Sequence, residues 1–248
     1  MASESRSNAP SASTLVLGVV CALLGAGGAL AWNAFGPGGG NKAKVEAIVR
    51  NYLLVHPEVL PEAMAELERK QSAGQLAGVR TQVEDASART VLGNPQGKVT
   101  LVEFSDYACT YCRHSVADVD GLIAANPDLR VIVRELPILS PGSADAARMA
   151  IAAAEQGRYA EFHKAMFEAG RPDPAGIETA ARAAGLDMAR ARTIAASPAA
   201  EQELVRNLTL AKQLGFSGTP SWVAGEEMLS GALGKDRLAE AIAKARSR

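Results

Sequence analysis

Residues 99–112 read Val99-Thr100-Leu101-Val102-Glu103-Phe104-Ser105-Asp106-Tyr107-Ala108-Cys109-Thr110-Tyr111-Cys112, and this stretch decides the fold. Val99 to Phe104 have the β-branched and apolar content of a buried strand. A helical pattern begins around Cys109 and runs through Val116, Val119 and Ile123 to Ala125, where Asn126-Pro127 stops it. Arg130 to Leu136 (RVIVREL) is a second strand, so residues 99–136 have the order of a βαβ unit, with a right-handed crossover expected. Cys109-Thr110-Tyr111-Cys112 thus falls where a core strand has ended and a helix begins.

Position decides what this pair does. At a helix amino terminus, unpaired N–H groups and the helix dipole stabilise an anion, so Cys109, the more exposed cysteine, should be a thiolate near neutral pH. Cys112 lies one turn further in, close enough for the two sulfurs to bond, which separates an attacking sulfur from a resolving one. Two other chemistries compete with this one. A zinc knuckle needs two further ligands from Cys21, His56, His114 and His163, which show no metal-ligand pairing, so no metal is expected. A structural disulfide closing a four-residue loop removes little unfolded-state entropy. Redox chemistry is the favoured reading.

Glu103 precedes Cys109 by six residues. Its carboxylate either takes and returns the Cys112 proton from a buried strand or faces water as an edge charge, and the residues alone leave both open. Gly218-Thr219-Pro220 precedes a short strand, Ser221 to Ala224. A cis Thr219-Pro220 bond would leave the Thr219 backbone free to pair with an extended substrate beside Cys109, although most X-Pro bonds are trans. His114 reads as a helix-surface residue.

Outward from this centre, Gly93-Asn94-Pro95-Gln96-Gly97 is a turn cluster. Ser143 to Leu214 is a block of Ala-rich helices punctuated by Gly157, Gly170, Pro172, Pro174, Gly185 and Pro198. Met228 to Ser230 is a hairpin partner for the strand at Ser221, and Asp236 to Ala245 a final helix. Before residue 90, Val45, Ile48, Val49, Tyr52 and Leu53 recur at helical spacing until His56-Pro57 interrupts them. A second helix opens around Pro57 and Pro61 with the stripe Leu60, Met64 and Leu67; the spacing weakens through Gly74 and Gly78 and resumes at Val79 and Val83. Residues 41–90 form a helical appendage too small for its own core. It packs either on the main domain or on the same segment of other subunits as an oligomerisation stalk.

Gly36 to Gly40 is a linker. Leu15 to Trp32 contains no charge and enters a membrane, as a cleaved signal with Ala29-Leu30-Ala31 at the cleavage site or as an anchor over residues 15–35. Cys21 within it reads as apolar filler. At 248 residues, 48% apolar and 21% charged, the chain is neither disordered nor a polytopic membrane protein. With 26 Lys+Arg against 27 Asp+Glu and no basic stripe, nucleic acid is excluded as a partner. Three cysteines are too few for a disulfide framework.

LGNPQGKVTLVEFSDYACTYCRHS (92–115), PILSPGSADAARMAI (137–151) and GTPSW (218–222) together resemble the DsbA family of thiol-disulfide oxidoreductases, over Leu92 to about Ala245. Residues 41–71, with YLLVHPEVLPEAM, resemble the helical extension of oligomerising members, including the suppressor-of-copper-sensitivity type. The resemblance implies an α/β, thioredoxin-like fold over residues 91–137 and 215–248, interrupted by an inserted helical domain at 138–214. It also implies Cys109 as nucleophile, Cys112 as its partner, Glu103 as buried carboxylate and Pro220 as cis-proline, with Thr219, Thr110 and Tyr111 at the substrate. Thr-Tyr stands between the cysteines where the strongly oxidising prototype has Pro-His, so Tyr111 cannot supply that histidine's charge. The expected protein is a periplasmic oxidase or isomerase with no cofactor beyond the Cys109–Cys112 disulfide. It would act on unfolded or misoxidised secreted proteins, with a membrane redox partner. The rival is a non-catalytic thioredoxin-like protein of the cell envelope that binds peptides or metal.

Overall fold

A computed structural model describes residues 39–85 and 89–247. The expected signal or anchor over 15–35, with Cys21, lies outside the described residues, as does most of the glycine linker. Among the described residues no helix is long and apolar enough to cross a membrane.

The chain divides into two compact units, at residues 1–65 and 66–248. In the first, α1 (Gly39–Val55) precedes the opening of α2 (Val59–Ala77). The expected break at His56-Pro57 is present, and Val45, Ile48, Val49 and Tyr52 form a continuous exposed stripe along α1.

In the second unit, α2 continues through Gly74, and a short α3 (Arg80–Val83) follows. Leu76 and Val83 are fully buried, against Val102, Phe104, Ile132, Leu136, Leu210 and Val223. Sequence spacing alone did not show that the end of the helical segment joins this core. Arg134 completes the attachment: its guanidinium donates to the carbonyls of Gln82 and Val83 and pairs with Glu203. These bonds satisfy the buried cation and the last carbonyls of α3 together.

A mixed sheet follows, in the order β1-β3-β2-β4-β5. β2 (Val99–Ser105), α4 (Thr110–Ala125) and β3 (Leu129–Glu135) make the expected βαβ unit with parallel strands. β1 (Val91–Gly93) pairs antiparallel with β3, where sequence suggested only the approach to a turn; three residues carry too little periodicity to announce an edge strand. β4 (Ser221–Ala224) pairs antiparallel with β2 and with β5 (Glu227–Ser230), and α10 (Gly234–Arg246) closes the chain.

Register assigns the faces. Leu101, Glu103 and Ser105 share one face with Val131, Val133 and Glu135 of β3, and Glu103 stands opposite Trp222 of β4. Val119 and Leu122 of α4 and Leu238, Ala241 and Ile242 of α10 cover part of this face. Its upper end meets the inserted helices α5 (Pro141–Glu155), α6 (Tyr159–Ala169), α7 (Pro174–Ala183) and α8 (Met188–Ala195). The second helix-covered face includes α9 (Pro198–Gln213). Helices α5, α7 and α9 open at Ser140-Pro141, Asp173-Pro174 and Ser197-Pro198. In each, the Ser or Asp side chain accepts a backbone N–H and Pro fills the position whose N–H has no partner. Gly142 lets α5 start against the neighbouring loop, since a Cβ there would meet the Pro172 carbonyl oxygen at 1.9 Å.

Candidate functional site

Cys109 is the N-cap of α4. Its extended backbone turns the side chain back over the first turn, and the Cys112 backbone N–H donates to its Sγ at 3.2 Å, so sulfur takes the place that a Ser or Asp oxygen takes at other helices. The Cys109 thiol donates to the Thr219 carbonyl oxygen at 3.3 Å, and the Thr219–Pro220 bond is cis. The structure thus brings together two motifs 110 residues apart. Both thiols are free.

The surroundings polarise the pair in opposite directions. A hydrogen bond from the Cys112 thiol to the Cys109 sulfur, helped by Thr219 and by the N–H groups of Cys112 and Tyr111, brings Cys109 down to about 6 against its burial. Cys112 is pushed far up by the same bond, by burial and by the Glu103 charge. Cys109 is 4% exposed and Cys112 1%, so the expected order of exposure is present but small.

Glu103 lies on β2 between β3 and β4 and is 3% exposed. A side chain on a central strand has no route to an outer edge, so the water-facing reading is overturned. Burial raises its carboxyl to about 8, with the Cys109 charge adding and the Ser105 hydroxyl opposing. Thr110 is exposed and Tyr111 is 63% exposed. Ile138 and Leu139 add exposed apolar surface on a loop tied to that of the cysteines. The tie is Asp106: its carboxylate accepts the N–H groups of Ala108, Ile138 and Leu139 at 2.8–2.9 Å. His114 is exposed on α4, as expected.

Sequence reading missed a buried polar cluster beside the cysteines. Tyr107 and Tyr159 both donate to Glu135 Oε1, at 3.1 and 2.9 Å, and both hydroxyl oxygens lie 3.2 Å from His163 Nδ1. Two tyrosine donors on one carboxylate oxygen, with an Nδ1–H shared between the tyrosine oxygens, satisfy all four contacts at once. Burial raises Glu135 to about 8 and lowers His163 to about 4, so the imidazole is neutral above that pH. The cluster joins β3, the loop before Cys109 and α6. A signal existed: His163 shares an apolar helix face with Tyr159, Phe162 and Met166, where a polar residue needs a partner. Among the described residues no group of three His, Cys, Asp or Glu side chains could hold a metal ion.

A helix-capping thiol of lowered pKa beside a second, protonated thiol and the carbonyl that precedes a cis-proline is equipped for thiol-disulfide exchange. Fold and dithiol define a thioredoxin-like protein of the thiol-disulfide oxidoreductase class.

The family model described as DSBA-like thioredoxin domain matches residues 100–243, and the chain belongs to that family. Residues 41–73 match the N-terminal domain of the copper resistance protein ScsC. Among solved structures, a thioredoxin-like oxidoreductase from Silicibacter pomeroyi is 42% identical, over 64% of this chain and 92% of that one, with a TM-score of 0.61. The catalytic domain of Proteus mirabilis ScsC is 26% identical, over 71% and 99%, with a TM-score of 0.64. Salmonella enterica Typhimurium BcfH is 28% identical, over 88% and 99%, with a TM-score of 0.61. A curated relative, the Na(+)/H(+) antiporter NhaA 3 of Salinispora tropica, is 28% identical over 158 residues, or 62% of this chain. The chain spans 24% of that antiporter's length.

Proposed function

We propose that this protein is a thiol-disulfide exchange enzyme of the periplasm, acting on unfolded or misoxidised secreted proteins through Cys109 and Cys112. One observation carries the reading: the Cys109 sulfur caps α4, accepts the Cys112 N–H and lies 3.3 Å from the carbonyl before a cis-proline. In the reducing direction, the Cys109 thiolate attacks a substrate disulfide. A Cys109–substrate disulfide forms, and the displaced substrate sulfur leaves as a thiolate. Cys112 then loses its proton to Glu103 and attacks Cys109 Sγ, closing the Cys109–Cys112 disulfide and releasing the second substrate thiolate. Run backwards, the same steps oxidise a substrate dithiol. Isomerisation occurs when another substrate thiolate displaces Cys109. Thr219 presents its backbone to the substrate strand, and Thr110 and Tyr111 offer exposed contacts beside the reacting sulfur. The cysteine pair needs no further cofactor and no metal, and a membrane redox partner resets it.

Location follows from the chemistry, since exchange of this kind serves secreted chains in oxidising compartments. Residues 15–35 deliver the protein there, as cleaved leader or as anchor. The stripe of Val45, Ile48, Val49 and Tyr52, each at least half exposed, is the contact through which residues 41–90 join copies of the chain. Reduction of insulin and reactivation of scrambled ribonuclease test the reading. Activity in either assay, lost in Cys109→Ala, supports it; a parent inactive at every redox poise leaves a binding protein.

A further inference from the structure

One buried hydroxyl on the Glu103 face of β2 is not used in these steps. Ser105 ends β2, is 2% exposed, and shares a sheet face with Glu103 two residues earlier. Its Oγ is buried and makes no hydrogen bond of regular geometry. A buried hydroxyl left without a regular bond is costly, so a site that keeps one asks for a reason. Here the hydroxyl is within the field of both partners, stabilising the ionised forms of Glu103 and of Cys112. It is a donor near both groups that bonds in regular geometry to neither.

The other titratable groups around this point are engaged. Tyr107, Tyr159 and His163 are bonded to each other and to Glu135. Asp106 is held by three backbone N–H groups, and the Cys109 sulfur by Cys112 N–H and Thr219. Glu103 also lines a cleft of about 360 Å³ between β1, α4 and α6, with Asp120, Glu161, His163 and Lys164.

We propose that Ser105 relays the proton between Cys112 and Glu103. The inference rests on the exchange reading above, with Cys112 as the resolving thiol. The Cys112 S–H bond breaks as its proton moves to Ser105 Oγ, while the Ser105 proton moves to the Glu103 carboxylate and leaves a neutral acid. The Cys112 thiolate then attacks Cys109 Sγ. The Cys109–Cys112 bond forms as the Cys109–substrate bond breaks, and the substrate sulfur leaves with the electron pair and takes a proton from water. The cysteine pair is oxidised by two electrons and the substrate disulfide reduced by two. The oxidising direction runs the relay in reverse.

The test follows two phases in the full chain, in a Cys21→Ala background so that only the pair reacts. Reduced protein is mixed with 5,5′-dithiobis(2-nitrobenzoate). The first nitrothiolate released reports attack by Cys109, and the second reports resolution by Cys112. Ser105→Val and Ser105→Thr have the same shape and differ in the hydroxyl. The relay predicts that Ser105→Val slows the second phase at neutral pH by at least about tenfold, within the range of general acid-base effects, and leaves the first unchanged. Threonine restores the rate, and the valine deficit narrows as hydroxide takes over at higher pH. Equal second-phase rates for valine and threonine overturn the relay. Should valine fail to fold by near-ultraviolet circular dichroism, the Ser105→Ala to Ser105→Thr ratio decides in the same way. Absence of the first phase, or a second phase that survives Cys112→Ala, would instead sink the exchange reading itself.

Discussion

Acidifying the reduced protein should remove stability that the oxidised protein never had. Cys109 falls from its ordinary 9 to about 6 in the folded chain. A folded pKa below the unfolded one contributes stability that is complete above pH 9 and lost as pH falls through 6. Linkage over that shift gives at most about 1 kcal/mol at pH 7 and about 3 kcal/mol at pH 8, reduced where solvent screens the thiolate, with almost nothing at pH 5. The disulfide form has no thiol at this position and lacks the whole contribution. Other buried groups titrate in both forms. Glu103 and Glu135, raised to about 8, contribute stability that is present at low pH and lost as pH rises through 8. His163, lowered to about 4, contributes stability that is lost as pH falls through 4. The Glu135 and His163 effects, and the burial share of the Glu103 shift, cancel to first order when the two redox forms are subtracted. Urea unfolding of reduced and oxidised protein from pH 5 to pH 8, followed by the buried Trp222, measures the difference. A reduced-minus-oxidised stability that climbs over this range agrees with the structure. One that stays flat means that Cys109 is an ordinary thiol and refutes the electrostatic reasoning.

Three further outcomes concern other residues. Thr219→Val removes a buried hydroxyl that helps to stabilise the Cys109 thiolate. The Cys109 pKa should rise by about one unit, read from the pH dependence of iodoacetamide alkylation, and an unchanged profile would exclude Thr219 from the electrostatics. Tyr159→Phe takes one of two donors from the buried Glu135 oxygen and should cost about 1–3 kcal/mol by urea unfolding, whereas no loss would mean that Tyr107 alone satisfies it. Ile48→Glu with Tyr52→Glu puts charge on the exposed stripe of α1. Light scattering should show the oligomer giving way to monomer, and a parent already monomeric contradicts the stalk.

The βαβ unit was legible because Val99 to Phe104 and Arg130 to Leu136 each announce a strand, and the cysteines fall where one ends. The cis-proline partner of Cys109 was legible through family resemblance, not through spacing, since no local rule links residues 109 and 219. Glu103 illustrates an ambiguity that sequence could not resolve. A carboxylate within an apolar strand reads alike whether the strand is central or at an edge, and only the pairing of β2 with both β3 and β4 decides. β1 was missed because three residues show no period. Tyr107, Glu135, Tyr159 and His163 were missed for another reason: each is unremarkable alone, and the cluster exists only once β3, α6 and the loop before Cys109 pack together. Leu76 and Val83 show the same dependence on tertiary context, since a sparse helical stripe does not say which surface will bury it.

The central assignment makes Cys109 the sulfur that meets substrate. Its most direct test incubates Cys112→Ala, unable to resolve, with a peptide disulfide and locates the trapped adduct by tandem mass spectrometry. The account predicts a stable mixed disulfide on Cys109, formed faster as pH rises, with a midpoint above the parent's because the Cys112 thiol that lowers Cys109 is gone. An adduct confined to Cys21, or none at any pH while Cys109→Ala traps peptide on Cys112, contradicts it.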